Sequence, residues 1–283
     1  MDNPEYIEGE LIYYACQLSA SLKQVWIVPI SDAHYGNPLF SEKHFRRTID
    51  YILKYNDVYT LLNGDLCESI TKASKGDVYT QKFTPQVQRD WVIKTLTPIK
   101  HKILGMTTGN HENRIYNETG IDISLDIAQA LGVPYRPSGM LVKISFGNYN
   151  NNVKGKPFVY WGYFTHGYGG ARTKAAKAIK AERLATFVDA SFYCMSHDHT
   201  VNASPSNYLR ADPRTRIDEN TGFRVGKVSA QRKVEVKTNA YIKWGNYSEM
   251  GGFPPSDLFT PIIKLLPLGD DLIGHKQTVR VEI

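Results

Sequence analysis

Sulfur is scarce in this chain. Three cysteines, Cys16, Cys67 and Cys194, stand far apart in 283 residues, which gives neither a disulfide framework nor a thiolate cluster for zinc. A reducing, cytoplasmic setting is the expectation. Long apolar runs are also missing, and the opening MDNPEYIEGE is acidic where a secretory segment would be basic. No membrane association and no export signal are therefore expected. No repeat at solenoid spacing and no low-complexity tract occurs. A strong charge of one sign is absent as well: 34 Lys+Arg against 28 Asp+Glu leave a formal +6, which permits a polyanionic partner without demanding one. These gaps exclude a disulfide mini-protein, a membrane-spanning protein and a disordered tail. At 42% hydrophobic, the chain can bury a sizeable core unaided. A globular enzyme or a binding module remains, read as one domain over residues 1–283 with 200–283 as a C-terminal extension or substrate-binding elements within it.

The periodicity changes along the chain. VWIVPI at 25–30 predicts a buried strand that ends in a polar turn around Asp32 and His34. Ser41 can cap a helix whose apolar positions Phe45, Ile49, Ile52 and Leu53 keep helical spacing. Residues 58–62 and 102–106 predict two more strands, with a helix over 86–97 stopped near Pro98. Strand, turn and helix thus alternate as in βαβ units. Further on, 141–146 and 157–164 predict a hairpin, 172–188 an alanine-rich helix, 191–195 a short strand, and 226–237 and the final VRVEI two more strands. The second part is expected to be more antiparallel.

Five segments each place ligand-type residues just past a predicted strand: Asp32-Ala33-His34, Gly64-Asp65 through Glu68, Gly109-Asn110-His111-Glu112, His166-Gly167 and His197-Asp198-His199. Sites in layered α/β proteins sit at the carboxyl ends of strands. Any one of these segments alone is an ordinary turn or a surface histidine. Their concentration is not: five of the eight histidines fall inside them. Oxygen and imidazole donors without thiolate suit Mn, Fe, Zn, Ni or Co, and the imidazoles argue against a pure magnesium or calcium site.

The ordered set DxH, GDxx[D/E], GNH[D/E], H and [G/S]HxH, running from Asp32 to His199, resembles the calcineurin-like metallophosphoesterase superfamily. The resemblance implies an α/β, four-layer β-sandwich flanked by helices, with two divalent metal ions at one rim, manganese first among the candidates. It implies that Asp32, His34 and His199 hold one metal and Asn110, His166 and His197 the other, with Asp65 bridging. It also makes His111 the unliganded catalytic histidine, steadied by a carboxylate contact from Glu112. A carboxylate suits the bridge because it offsets the repulsion of two dications, and the amide oxygen of Asn110 adds a ligand without charge. Arg114 is the candidate to meet the charge on a phosphoryl group.

Two positions depart from the pattern. Glu68 stands where Asp is usual, with little consequence expected. Ser196 replaces a more common Gly and restricts the backbone there. The segment 69–85, with Lys72, Lys75 and Lys82, can line the substrate approach. After His166, GYGGARTKAAKAIKAERL supplies a basic run in which Arg172 is the preferred substrate contact, while Lys180 and Arg183 fit a solvated helix face. A metal-dependent phosphodiesterase acting on DNA or another nucleic acid is the first expectation. A nucleotide or small-molecule phosphomonoesterase is the rival, and a non-catalytic nucleic-acid-binding module is the third reading. No protein partner is indicated.

Overall fold

Three parallel strands with apolar side chains on both faces demand cover on both sides, and the computed structural model shows how the chain provides it. It describes residues 12–74, 78–148, 156–245, 247–250, 252, 254–255, 258–267 and 278–283. In chain order the first half forms β1 (Tyr13–Gln17), β2 (Val25–Ile30), α1 (Glu42–Lys54), β3 (Val58–Asn63), α2 (Pro85–Leu96), β4 (Ile103–Thr107), α3 (Asn110–Thr119) and α4 (Ile123–Leu131). The second half forms β5 (Gly139–Phe146), β6 (Phe158–Thr165), α5 (Lys174–Leu184), β7 (Phe192–Met195), β8 (Asn202–Ile217), β9 (Arg224–Lys237), α6 (Tyr247–Met250), β10 (Ile262–Leu266) and β11 (Thr278–Glu282).

The strands make two mixed sheets, of order β1-β5-β6-β7-β9-β8 and β11-β10-β2-β3-β4. Period-two alternation sorts each strand between two layers. On β2, Val28 and Ile30 face a helical layer with Phe45, Ile52, Val92, Leu96 and Ile127. Val25 and Ile27 face the other sheet, where they meet Val142, Ile144, Phe146, Phe164, Phe192 and Val236. On β7, Phe192 and Cys194 join that inter-sheet core, while Tyr193 and Met195 pack under α5 with Ala181 and Leu184. The result is helices, sheet, sheet, helix: the four-layer α/β sandwich of the metallophosphoesterase type. Each fully buried Phe or Ile contributes on the order of 1.5–3 kcal/mol.

The βαβ pattern produces the parallel run β2-β3-β4, and β5 and β6 pair antiparallel from Gly139↔Thr165 to Phe146↔Phe158. The polar turn between those two strands lies mostly outside the described residues, as do the acidic opening and Lys75. Two expectations change. The alanine-rich helix spans Lys174–Leu184 rather than 172–188, because Thr173 caps it and the chain turns at 185–187. Ser41 occupies the cap position of α1 but its side chain makes no capping hydrogen bond. Its backbone N–H donates instead to the Tyr241 carbonyl. No helix among the described residues is long and apolar enough to cross a membrane.

Candidate metal centre

All five ligand-bearing segments leave their strands at one rim. β2 delivers Asp32 and His34, β3 Asp65, β4 and the start of α3 Asn110 and His111, β6 His166, and β7 His197 and His199. Past the strand ends the first two loops stay zipped together, with the Asp32 N–H donating to the Gly64 carbonyl, that of His34 to Asp65 and that of Tyr35 to Leu66. Beneath the site a buried polar chain ties the sheets. Thr107 Oγ1 donates to Asn63 Oδ1, Asn63 Nδ2 donates to Ser196 Oγ and the Thr165 carbonyl, and Thr238 Oγ1 donates to Ser196 Oγ. Ser196, noted in the sequence only as a restriction on the backbone, is a member of this chain.

The backbone at the rim is strained. Among the described residues, non-glycine positions with positive φ are Asp32, His34, Asp65, Ser69, His197 and His199, at +44° to +73°. Five of these six are ligand candidates. Each such conformation costs about 1–2 kcal/mol in an L-residue and survives only where its surroundings over-determine it. Gly109 supplies part of that constraint: a Cβ there would lie 2.1 Å from both the amide nitrogen and Oδ1 of Asp65.

The donor atoms form three overlapping groups, Asp32-His34-His199, His34-Asp65-His111 and Asp65-His166-His197, linked through His34 and Asp65. In the first, His199 Nε2 lies 3.1 Å from Asp32 Oδ1 and 3.2 Å from His34 Nε2. In the third, His166 Nε2 lies 3.1 Å from both Asp65 Oδ2 and Asn110 Oδ1, with His197 completing the group. The middle group joins the two through His34 Nε2, 3.7 Å from Asp65 Oδ2. Backbone groups fix which atoms remain available. The His111 N–H takes Asp65 Oδ1 at 2.8 Å and the His197 N–H takes Asp32 Oδ2 at 3.3 Å, which leaves Asp65 Oδ2 and Asp32 Oδ1 for the site. His166 Nδ1 donates to the Asn63 carbonyl at 2.8 Å, so its Nε2 lone pair faces inward. His197 Nε2 donates to the Gly169 carbonyl at 2.8 Å, which turns Nδ1 inward.

This donor set fits a pair of divalent cations. His166 Nε2, Asp65 Oδ2 and Asn110 Oδ1 are three lone-pair atoms converging on one another, an arrangement that repels itself unless a cation or proton sits among them. Asp32 Oδ1 is buried with no hydrogen-bond partner. Orienting hydrogen bonds to carbonyls or carboxylates behind the ligands are the usual support of a metal-bound imidazole. Burial opposes ionisation of Asp32 and Asp65, yet the surrounding imidazoles carry both well below the ordinary carboxylate range. Burial likewise works against a charged His166, but Asp65 outweighs it and lifts the imidazole to about 9. The overlapping clusters make a two-metal centre of the kind a metal-dependent hydrolase uses.

His111 stands beside this centre, with Nε2 3.9 Å from Asp65 Oδ2. Its Nδ1 donates to the Glu68 backbone carbonyl at 2.7 Å, and burial pushes it down to about 4. The expected contact from Glu112 is not made. The Glu112 carboxylate instead accepts from the backbone amides of Asp65 at 3.0 Å, Cys67 at 2.8 Å and Gly109 at 3.2 Å. Those amides belong to the turns after β3 and β4, where buried N–H groups require an acceptor. Glu68, expected to matter little, lies 3.0 Å from His34 Nδ1 through Oε2 and orients that ring.

Sequence reasoning also missed Asp198. It pairs with Lys180 at 2.8 Å and with the fully buried Lys237 at 2.7 Å, while Lys177 donates to its carbonyl and to Thr200 Oγ1. Lys177 and Lys180 therefore brace the His197–His199 turn, and Lys180 is not on a solvated face. The legible signal was a lysine closing the apolar strand VEVK. Arg114 is half-buried near His111, with Nη1 lacking a hydrogen-bond partner. Arg172 is exposed and lines a cavity of about 350 Å³ together with Lys174, Lys177, Thr200 and Phe259.

No family model matches the chain, and no curated protein matches it. Solved structures do. Vps29 of Chaetomium thermophilum is 13% identical, over 91% of this chain and 92% of that one, at a TM-score of 0.35. GAP50, described as the anchor in the inner membrane complex of Plasmodium, is 10% identical over 91% and 89% at a TM-score of 0.38. At these values neither neighbour lends an activity to this chain.

Proposed function

We propose that the chain is a dimetal-dependent phosphodiesterase of the calcineurin-like metallophosphoesterase type, with nucleic acid as its substrate class. The observation that carries this is Asp65 Oδ2, one carboxylate oxygen 3.7 Å from His34 Nε2 on one side and 3.1 Å from His166 Nε2 on the other, so that it links the overlapping groups of donor atoms. Asp32, His34 and His199 would hold one ion and Asn110, His166 and His197 the other, with Asp65 common to both. Manganese is the first choice among Mn, Fe, Zn, Ni and Co. When bound, such a pair polarises a phosphoryl group and makes water acidic enough to attack it.

The remaining residues bind and move protons. His111 presents Nε2 to the site, where it can hydrogen-bond a phosphoester oxygen. The charge of a bound phosphate raises the imidazole's proton affinity, which suits it to protonate the departing alkoxide. Glu112 serves this step indirectly by holding the Asp65 turn. Arg114 offers a buried, unpartnered N–H to the equatorial oxygens. Arg172 and the cavity beside Thr200 would take the part of the substrate beyond the scissile bond. Residues 1–283 act in this proposal as one catalytic domain.

Hydrolysis of bis-p-nitrophenyl phosphate and p-nitrophenyl phosphate with added Mn²⁺ tests it. The diester is expected to turn over faster, and Asp65→Asn and His111→Gln are expected to abolish or cripple the reaction. Metal-independent turnover, or turnover untouched by Asp65→Asn, would sink the assignment. A clear monoester preference would move it to nucleotide or small-molecule hydrolysis.

A further inference from the structure

β8 and β9 form a ribbon far longer than the sheet that anchors it. β9 pairs with β7 only over Val234–Lys237, while its pairing with β8 continues out to Ile217↔Arg224. Beyond that root the two strands run on for roughly 30 Å. A lone two-stranded ribbon is marginally stable in water, and this one leaves Leu209 77% and Phe223 74% exposed. Such a projection is a poor investment unless it meets something.

Its charge indicates what. Between Asn202 and Lys237 lie eight cationic and four acidic side chains, a local excess of +4 within the chain's formal +6. The acids are largely occupied. Asp212 pairs with Arg214 at 2.7 Å, Asp218 accepts from the Thr221 amide and hydroxyl in the turn, and Glu235 accepts from Ser206 at the root. The register Arg210↔Ser229 and Arg216↔Val225 places Arg210, Lys227 and Arg216 on one face, at successive steps of about 6.8 Å along the ribbon. Among the described residues none of these three makes an ion pair. A row of unpaired cations at that spacing matches the repeat of phosphates along a nucleic-acid strand, and a two-stranded ribbon is narrow enough for a major groove.

The ribbon is a weak candidate for pairing edge to edge with a second copy. β8 is the sheet's edge strand, but Pro205 and Pro213 interrupt its donors and its register shifts between Ala211 and Thr215. Topology also separates it from the metal rim. β9 runs parallel to β7 and β8 antiparallel to it, so the ribbon leaves the sheet at the end opposite His197 and His199.

We infer that the β8–β9 ribbon is a duplex-nucleic-acid anchor whose Arg210, Lys227 and Arg216 contact the phosphate backbone away from the metal centre. This deepens the nucleic-acid reading above and rests on it for the polymer's identity. The test is binding of a labelled 30-base-pair DNA duplex by the full chain in EDTA, across a salt series. The triple variant Arg210→Gln, Arg216→Gln, Lys227→Gln is compared with wild type, with Mn²⁺-dependent turnover of bis-p-nitrophenyl phosphate measured in parallel.

Wild type is expected to bind duplex with a steep salt dependence. In the triple variant the slope of log K against log salt falls by about 2–3, with affinity at low salt down at least tenfold and small-substrate turnover unchanged. Equal binding and slope in wild type and variant would overturn the anchor, as would no duplex binding by wild type at low salt. Sedimentation velocity that finds a wild-type dimer abolished in the triple variant would assign the ribbon to a second copy and overturn it too. Ribbon-dependent binding without any turnover would leave the anchor standing and remove the catalytic reading.

Discussion

Replacing Glu112 by Gln separates two accounts of that residue. If it steadies His111, the substitution alters proton transfer and little else. The structure instead gives its carboxylate three backbone amides, on Asp65, Cys67 and Gly109. A glutamine oxygen can keep Asp65 and Gly109, but its NH₂ then confronts the Cys67 amide. One orphaned buried donor costs about 1–3 kcal/mol, while removing a charge that burial and Asp65 already oppose adds no further loss. The total is roughly 1–3 kcal/mol, equivalent to a fall in Tm on the order of 5 °C. Asp65 is held at φ +51° by the same turn, so metal affinity should drop about 10–100-fold with it. Calorimetric melting in EDTA and Mn²⁺ titration at pH 8 read both effects. That pH lies above the value of about 7 to which burial and the Asp65 charge push the Glu112 carboxyl. A variant that melts within a degree of wild type, binds Mn²⁺ normally and yet loses hydrolysis would refute this account.

Other substitutions probe the rest of the rim. Gly109→Ala drives a methyl into the Asp65 amide and carboxylate, and should cost about 1–3 kcal/mol together with most Mn²⁺ binding; intact binding by titration would contradict the close approach. Asp198→Asn leaves Lys237, buried at 1% exposure, without its counter-charge, and urea melts should show a loss of about 3–5 kcal/mol, largely recovered in the double variant with Lys237→Met. The metal-free protein should also lose stability with rising pH. His166 is raised from its usual 6.5 to about 9 when folded, so its contribution is complete below 6.5 and disappears as pH climbs through 9. This is a change on the order of 3 kcal/mol that saturating Mn²⁺ should suppress in pH-dependent melts.

Much of the candidate site was legible because each candidate ligand follows a strand whose apolar run is unmistakable, as in VWIVPI before Asp32 and VYTLL before Asp65. What the pattern hides is long-range. Adjacency in GNHE suggests a contact between Glu112 and His111, whereas a helix turns neighbouring side chains about 100° apart and sends the Glu112 carboxylate to the backbone amides of Asp65, Cys67 and Gly109. Lys237 and Asp198 are 39 positions apart and meet only once β9 lies beside β7. β8 escaped notice because Pro205 and Pro213 argue against a strand interior, and edge position alone makes them tolerable. The five candidate ligand positions with positive φ carry no signal in composition or periodicity, since Asp and His are over-represented in the left-handed region but adopt it at only a small fraction of their positions.

Anomalous diffraction from crystals grown with Mn²⁺ addresses the two-metal centre most directly. Two peaks per chain are expected, one within ligand distance of Asp32, His34 and His199, the other of Asn110, His166 and His197, with Asp65 Oδ2 shared. A single peak, or two peaks that do not share Asp65, would contradict the bridged centre on which the proposed chemistry depends.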